Sequence, residues 1–225
     1  MDTNTRIIIN LNTWERRHNY EFFKGFLNPQ CSVTSEIDCT SAYKNSKKQG
    51  ASFFVKYLYA ILRAVNEVPE LCYRIEQSDG EEVVVLYQKI SVITPIRTGE
   101  NGKFHSINIP YHKTFEKFRT AYEAAIHSIP EEESDPYAAE KQIKSDHAFN
   151  DQILLSALPD LYYTSMTFTQ SSRSGNNRPL INVGKAIERN KQMIMPVAIC
   201  FHHGLCDGYH IGLFYNKAQQ YLDEL

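Results

Sequence analysis

Short β-branched runs and amphipathic helical stripes alternate along the 225-residue chain, and this alternation restricts the fold more than any other feature. Ile7, Ile8 and Ile9 with Leu11 read as a strand, and the charged, aromatic stretch after Trp14 reads as a helix ending near Asn28-Pro29. Val33, Ser35, Ile37 and Cys39 alternate with Thr34, Glu36 and Asp38, the pattern of a half-buried strand. Thr40 or Ser41 offers an N-cap for a short helix ending at Gly50. Ser52 can cap the next helix, whose stripe of Phe54, Leu58, Ile61, Leu62 and Val65 stops before Pro69. CYRIE and VVVLYQ are short β segments about the turn Ser78-Asp79-Gly80, and ISVITPI and FHSINIPY form a second pair about TGENG. A helix from Thr114 carries Phe115, Phe118, Tyr122, Ala125, Ile126 and Ile129 on one face, and PEEESDP follows as a polar connection. The last third is again β-rich: YYTSMTFTQ alternates, SSRSGNNRP is a loop, and LINVGKAIE leads into QMIMPVAICFHH. It closes on a helix with Ile211, Phe214, Tyr215, Ala218 and Leu222 on its buried side. There is no repeat. Interleaved strands and helices predict one α/β domain over residues 1–225, a two-layer sandwich with a mixed sheet.

Composition removes several function classes. Hydrophobic residues are 42% and charged residues 22%, a globular balance. The 24 basic and 26 acidic residues sum to −2, so no basic surface for nucleic acid is implied. The first residues lack the basic region and apolar run of a secretory signal. No apolar stretch approaches the roughly 18 residues that cross a bilayer. Cys31, Cys39, Cys72, Cys200 and Cys206 are irregularly spaced without a CxxC pair and read as reduced thiols. The expectation is a cytoplasmic protein.

The chemistry is concentrated at one junction. His202, His203 and His210 fall within nine positions, with Cys206 and Asp207 between them, where the apolar strand MPVAICF meets the turn GLCDG ahead of a helix. Three readings compete. All these side chains are possible zinc ligands, but His202 and His203 alternate to opposite faces of a continuing strand, and no second ligand cluster is present. A buried turn with hydrogen-bonded histidines is the plainest alternative. The third reading is a general base: a near-neutral imidazole accepts a hydroxyl proton while a carboxylate four residues on fixes local geometry.

FHHGLCDGYH resembles the HHxxxDG signature of the chloramphenicol acetyltransferase family, which the acyltransferase core of the 2-oxo-acid dehydrogenase complexes shares in related form. WERRHNYEFF is similar to that family's aromatic-Arg segment, SALPDL to its Ser-Ala-Leu-Pro segment, and FHSINIPY to its Phe-containing strand ending in Pro-Tyr. The four lie in the family's order over nearly the whole chain. The resemblance implies the CoA-dependent acyltransferase fold and transfer of acetyl from acetyl-CoA, as co-substrate, to the 3-hydroxyl of chloramphenicol, an antibiotic-resistance activity with no metal.

By the same resemblance, His203 is the base and Ser156 donates a hydrogen bond to the tetrahedral oxyanion. Asp207 pairs with Arg16 to hold the turn. Phe22, Phe23, Cys31, Phe104, Met166, Phe168, Leu180 and Asn182 fall at positions that line the acceptor pocket, and Lys185 at a CoA-phosphate position. The implied assembly is a homotrimer whose sites lie between subunits, His203 coming from one and Ser156 from the next. The implied tautomer leaves Nε2 of His203 to accept the proton while a backbone carbonyl engages the other nitrogen. Phe23 stands where some members have tyrosine, Cys31 where an aromatic is common, Asn182 where a threonine holds a water, and Ser52 where a second CoA lysine stands. These departures keep open another hydroxyl acceptor, and a non-catalytic ligand-binding protein on the same fold is the alternative from a different class.

Overall fold

In a computed structural model, the described residues are 5–49, 52–99, 103–129, 150–169 and 177–225. The elements are β1 (Arg6–Ile8), α1 (Arg17–Lys24), β2 (Gln30–Asp38), α2 (Thr40–Gln49), α3 (Phe53–Asn66), a 3-10 turn (Pro69–Leu71), β3 (Tyr73–Ser78), β4 (Glu81–Tyr87), β5 (Ser91–Arg97), β6 (Phe104–Ile109), α4 (Phe115–His127), β7 (Gln152–Leu158), β8 (Leu180–Gly184), β9 (Ile187–Arg189), β10 (Gln192–His202) and α5 (Gly208–Glu224).

The strand β10 is apolar on both faces and is buried from Ile194 to His202. Such a strand has to lie inside a sheet. It pairs along its length with β2 on one side and with β8 and β9 on the other, within the order β2-β10-β8-β7-β5-β6. Strands β5, β7 and β8 run parallel, and the remaining pairs of this sheet are antiparallel, so the sheet is mixed. Met195, Val197, Ile199 and Phe201 face one way and join Ile181, Val183, Ile153 and Leu155 in the core beneath α2, α3, α4 and α5. Ala198, Cys200 and His202 alternate to the opposite face.

A smaller antiparallel sheet, β1-β4-β3, stands beside this one. Its hairpin turns at Asp79 (φ 53°) and Gly80 (φ 82°), two successive left-handed residues as an Asp-Gly turn requires. Val84 of β4 packs with Tyr20 of α1 and Leu205, which ties the first helix to this sheet.

Three expectations need correction. Residues 162–169 form no strand, although they alternate; β7 (Gln152–Leu158), just upstream, occupies the sheet instead. Both edges of β8 are already taken by β7 and β10, so the alternating segment has no neighbour to pair with and runs outside the sheet. The first helix ends at Lys24 with Gly25 as its cap, earlier than Asn28-Pro29, because the chain must extend before Pro29 to enter β2. Ser52 stands at the N-cap of α3, but its side chain makes no capping hydrogen bond. The polar connection PEEESDP lies outside the described residues, as do parts of TGENG and SSRSGNNRP.

Gly184, the last residue of β8, has no room for a side chain. A Cβ there would lie 2.6 Å from Pro196 Cγ, 2.7 Å from Tyr163 Cε1 and 2.9 Å from the Leu161 carbonyl oxygen. Gly184→Ala is expected to destabilise the fold by about 1–3 kcal/mol. Thermal unfolding checks this, with a fall in midpoint of about 2–4 °C per kcal/mol for a chain of this size.

Candidate active site

Helix α1 and the turn after β10 build one half of the site. Arg16, Tyr20 and Phe23 follow an i, i+4, i+7 spacing, which puts them on one face of the helix. All three touch the turn. Arg16 Nη1 lies 2.8 Å from Asp207 Oδ2, and Nη2 donates to the His203 carbonyl at 3.5 Å. Tyr20 packs with Leu205. Phe23 stacks on the His203 ring, with centroids 4.2 Å apart and planes 9° from parallel. The helix comes this close because position 204 is glycine: a Cβ there would sit 3.2 Å from the Tyr20 Cα and 3.0 Å from His202 Cε1. The other side of the turn is tied to the sheet, where the His203 amide donates to the Pro29 carbonyl at 2.8 Å.

Asp207 is also the N-cap of α5. Its Oδ1 accepts from the Tyr209 amide at 3.1 Å, and the side chain of His210 closes a capping box on the Asp207 backbone N–H. Burial pushes the Asp207 carboxyl up, but the Arg16 hydrogen bond, His210 and the Tyr209 amide outweigh it and hold it below the usual carboxylate range. Cys206 is the opposite case, with burial driving its thiol well above the ordinary value.

The two histidines play different parts. His202 ends β10 in a buried position, and the Gly204 amide donates to its Nδ1 at 3.1 Å. Burial pushes His202 down to about 4, against the opposing effect of Glu82, so it is neutral at neutral pH. His203 begins the turn and is half-buried. Its Nδ1 has no hydrogen-bond partner among the described residues, in contrast to the backbone carbonyl that the sequence resemblance implies. The stacking on Phe23 fixes the ring plane, and its own carbonyl oxygen is directed to Arg16. Among the described residues, no three His, Cys, Asp or Glu side chains group as metal ligands.

The second half of the site lies at the far end of the sheet. A cavity of about 960 Å³ opens at the C-terminal ends of the parallel strands β5, β7 and β8, where open α/β sheets commonly bind ligands. Ser156, Phe104 and Lys185 line it, together with aromatic side chains of α2, α3 and α4 that the sequence reading did not select: Tyr43, Phe54, Tyr57 and Tyr122. Those aromatics look like core stripe residues, and only the opening of the sheet's end separates a cavity wall from a core contact. Asn182 is opposite Ser156 in register and buried, and its Oδ1 has no hydrogen-bond partner among the described residues. Leu180 precedes it by two residues on the same face, half-buried. Tyr163 donates its hydroxyl to the Asn182 carbonyl at 2.8 Å, and Met166 and Phe168 follow on the irregular segment, both half-buried.

Some selected residues are not brought together. Phe22 is 65% exposed and joins Phe23 and Phe26 in a surface cluster beside His203, away from the cavity. Cys31 turns toward the helix side of the sheet with Val33 and Ile37. Within one chain His203 and Ser156 are far apart. Ser156 is opposite Asn182, which is opposite Ala198, and His203 lies five residues further along. At about 3.3 Å per residue and about 4.8 Å per strand, their backbones are roughly 19 Å apart, beyond side-chain reach.

A family model described as chloramphenicol acetyltransferase matches residues 4–219. The chain belongs to the chloramphenicol acetyltransferase family, a family of acyltransferases. A chloramphenicol acetyltransferase of Proteus mirabilis is 28% identical over 218 residues, covering 97% of this chain and 95% of that protein. A solved chloramphenicol acetyltransferase is 50% identical with a TM-score of 0.90, covering 97% of this chain and 100% of its own. The catalytic core of a 2-oxoacid dehydrogenase multienzyme complex from Thermoplasma acidophilum, 15% identical with a TM-score of 0.57 over 93% of this chain and 95% of its own, shares the fold. The matched span includes Arg16, Ser156, His203 and Asp207.

The depressed His202 value has a consequence for stability. The unfolded chain takes up a proton at this residue below its ordinary 6.5, whereas the native state resists until about 4. Stability therefore falls as pH drops through that window, by up to about 3 kcal/mol. His202→Asn keeps an acceptor for the Gly204 amide and is expected to remove this part of the slope. Chemical denaturation at several pH values between 4 and 7 checks it; an unchanged slope in the variant contradicts it.

Proposed function

We propose that the protein is an acetyl-CoA-dependent O-acetyltransferase that acetylates the 3-hydroxyl of chloramphenicol and thereby confers resistance. Its residues 1–225 act as one domain in a cytoplasmic homotrimer. The observation that carries this reading is the turn that holds His203 against α1, in a chain 50% identical over nearly its whole length to a chloramphenicol acetyltransferase. No helix among the described residues is long and apolar enough to cross a membrane, which fits action on a small diffusible acceptor.

In the reaction, His203 accepts the proton from the acceptor hydroxyl as its oxygen attacks the thioester carbonyl. The Ser156 hydroxyl donates to the oxygen on which negative charge develops, and a fixed donor contributes most there because the charge peaks in the transition state. Collapse of the tetrahedral species breaks the carbon–sulfur bond, and the proton returns from His203 to the CoA sulfur. Lys185, exposed at the cavity edge, meets the CoA phosphates. Phe104, Leu180, Asn182, Met166 and Phe168 shape the acceptor pocket.

The distance between His203 and Ser156 within a chain supports a site assembled from two copies. Phe22 and Phe26, exposed and packed on the Phe23 ring that stacks on His203, supply an apolar surface for that contact. Arg16 and Asp207 act through His203 and need not meet the substrate.

CoA thiol release from acetyl-CoA, with and without chloramphenicol, tests the reading. Release should depend on the antibiotic, fall by at least ~10² in His203→Ala, and fall by about 10²–10³ in Ser156→Ala. Release that responds only to other hydroxyl compounds would replace the acceptor. Stoichiometric binding without release, unchanged in His203→Ala, would replace the reaction with ligand binding.

A further inference from the structure

We propose that His210 and Glu70 are positioning residues for His203, forming a second anchor of the turn beside the Arg16–Asp207 pair; this rests on the reading of His203 as the base. His210 lies in the first turn of α5, with Nδ1 3.2 Å from the Asp207 amide nitrogen and 2.9 Å from Asp207 Oδ1. Its Nε2 faces Glu70 Oε1 at 3.6 Å. Glu70 belongs to the 3-10 turn Pro69–Leu71, which connects the end of α3 to β3 and has no other part in the site.

The chain of contacts is therefore Glu70, His210, Asp207, Arg16 and the His203 carbonyl. Side-chain exposure along it is 23% for Glu70, 12% for His210, 30% for Asp207 and 11% for Arg16, so most of it is shielded from water. Arg16 and the Tyr209 amide hold the two carboxylate oxygens of Asp207. His210 adds a contact of a different kind: its Nδ1 accepts from the Asp207 backbone N–H, which turns Nε2 toward Glu70. The turn is thereby seated against the 3-10 turn as well as against α1. A helix cap would ordinarily use Glu or Gln at the position of His210. A ring with a second nitrogen closes the same capping box and reaches a second element as well, which Gln cannot do.

This difference supplies the test. His210→Gln retains a capping side chain but loses the link to Glu70, and Glu70→Gln removes the carboxylate while leaving His210. Each variant is expected to lower kcat by about 5- to 30-fold with KM for both substrates unchanged, since displacements of the order of 1 Å can lose 10² in rate. The double variant should be no slower than the worse single one, because both act on one contact. Amide hydrogen exchange of residues 203–207, which needs no substrate, should accelerate in each. A capping role alone predicts that His210→Gln keeps full kcat and protection, which overturns the proposal, as do losses that multiply in the double variant. If the wild type releases no thiol, or His203→Ala retains its rate, the assignment of the base fails; unchanged exchange in the variants rejects the anchor itself.

Discussion

The ion pair between Arg16 and Asp207 fixes where the first helix meets the last turn, and the rest of the candidate site follows from it. Its members are 191 positions apart, so it closes the chain end on end. Arg16 is largely shielded from water while Asp207 is about a third exposed, so removing the aspartate leaves a shielded guanidinium without its charge partner. That makes the pair a poor source of net stability and a strict selector of geometry. Once α1 is held there, Tyr20 falls on Leu205, Phe23 falls on His203, and Gly204 is the residue that permits the approach.

The sheet imposes the second constraint. Because β10 runs antiparallel to β8 while β7 runs parallel to it, the C-terminal ends of β7 and β8 and the C-terminal end of β10 lie at opposite edges. Ser156 and the cavity belong to one edge and His203 to the other. Within one chain the two residues are therefore held apart on a rigid frame. The exposed Phe22 and Phe26 pack on Phe23, the residue that stacks on His203.

Much of this was legible in the sequence because local pattern and global role agree. The run Met195–Phe201 had to be a strand, and the apolar-periodic run after Asp207 had to be a helix; both hold. The face of α4 through Phe115, Phe118 and Tyr122 packs on the core as its spacing requires. Legibility ended where register decides. Ile153 to Leu155 is a continuous apolar run that periodicity cannot assign, whereas residues 162–169 alternate and yet lie against β8, both of whose edges are already paired. The face that Cys31 takes is set the same way, since its register opposite Phe201 puts it on the helix side. The i, i+4, i+7 spacing of Arg16, Tyr20 and Phe23 was present in the sequence and would have revealed the helix–turn contact. His210 was visible in the cluster, but its link to Glu70 depends on a tertiary contact.

The central claim is that His203 and Ser156 act together across two copies of the chain. The most direct measurement mixes His203→Ala and Ser156→Ala subunits, unfolds and refolds them together, and compares thiol release with that of each variant alone. If neighbouring subunits contribute the two residues, random assembly rebuilds an intact site at about one interface in four, and activity returns to about a quarter of the wild-type value. Activity that stays at the level of the separate variants, with mixed oligomers formed, would contradict the account.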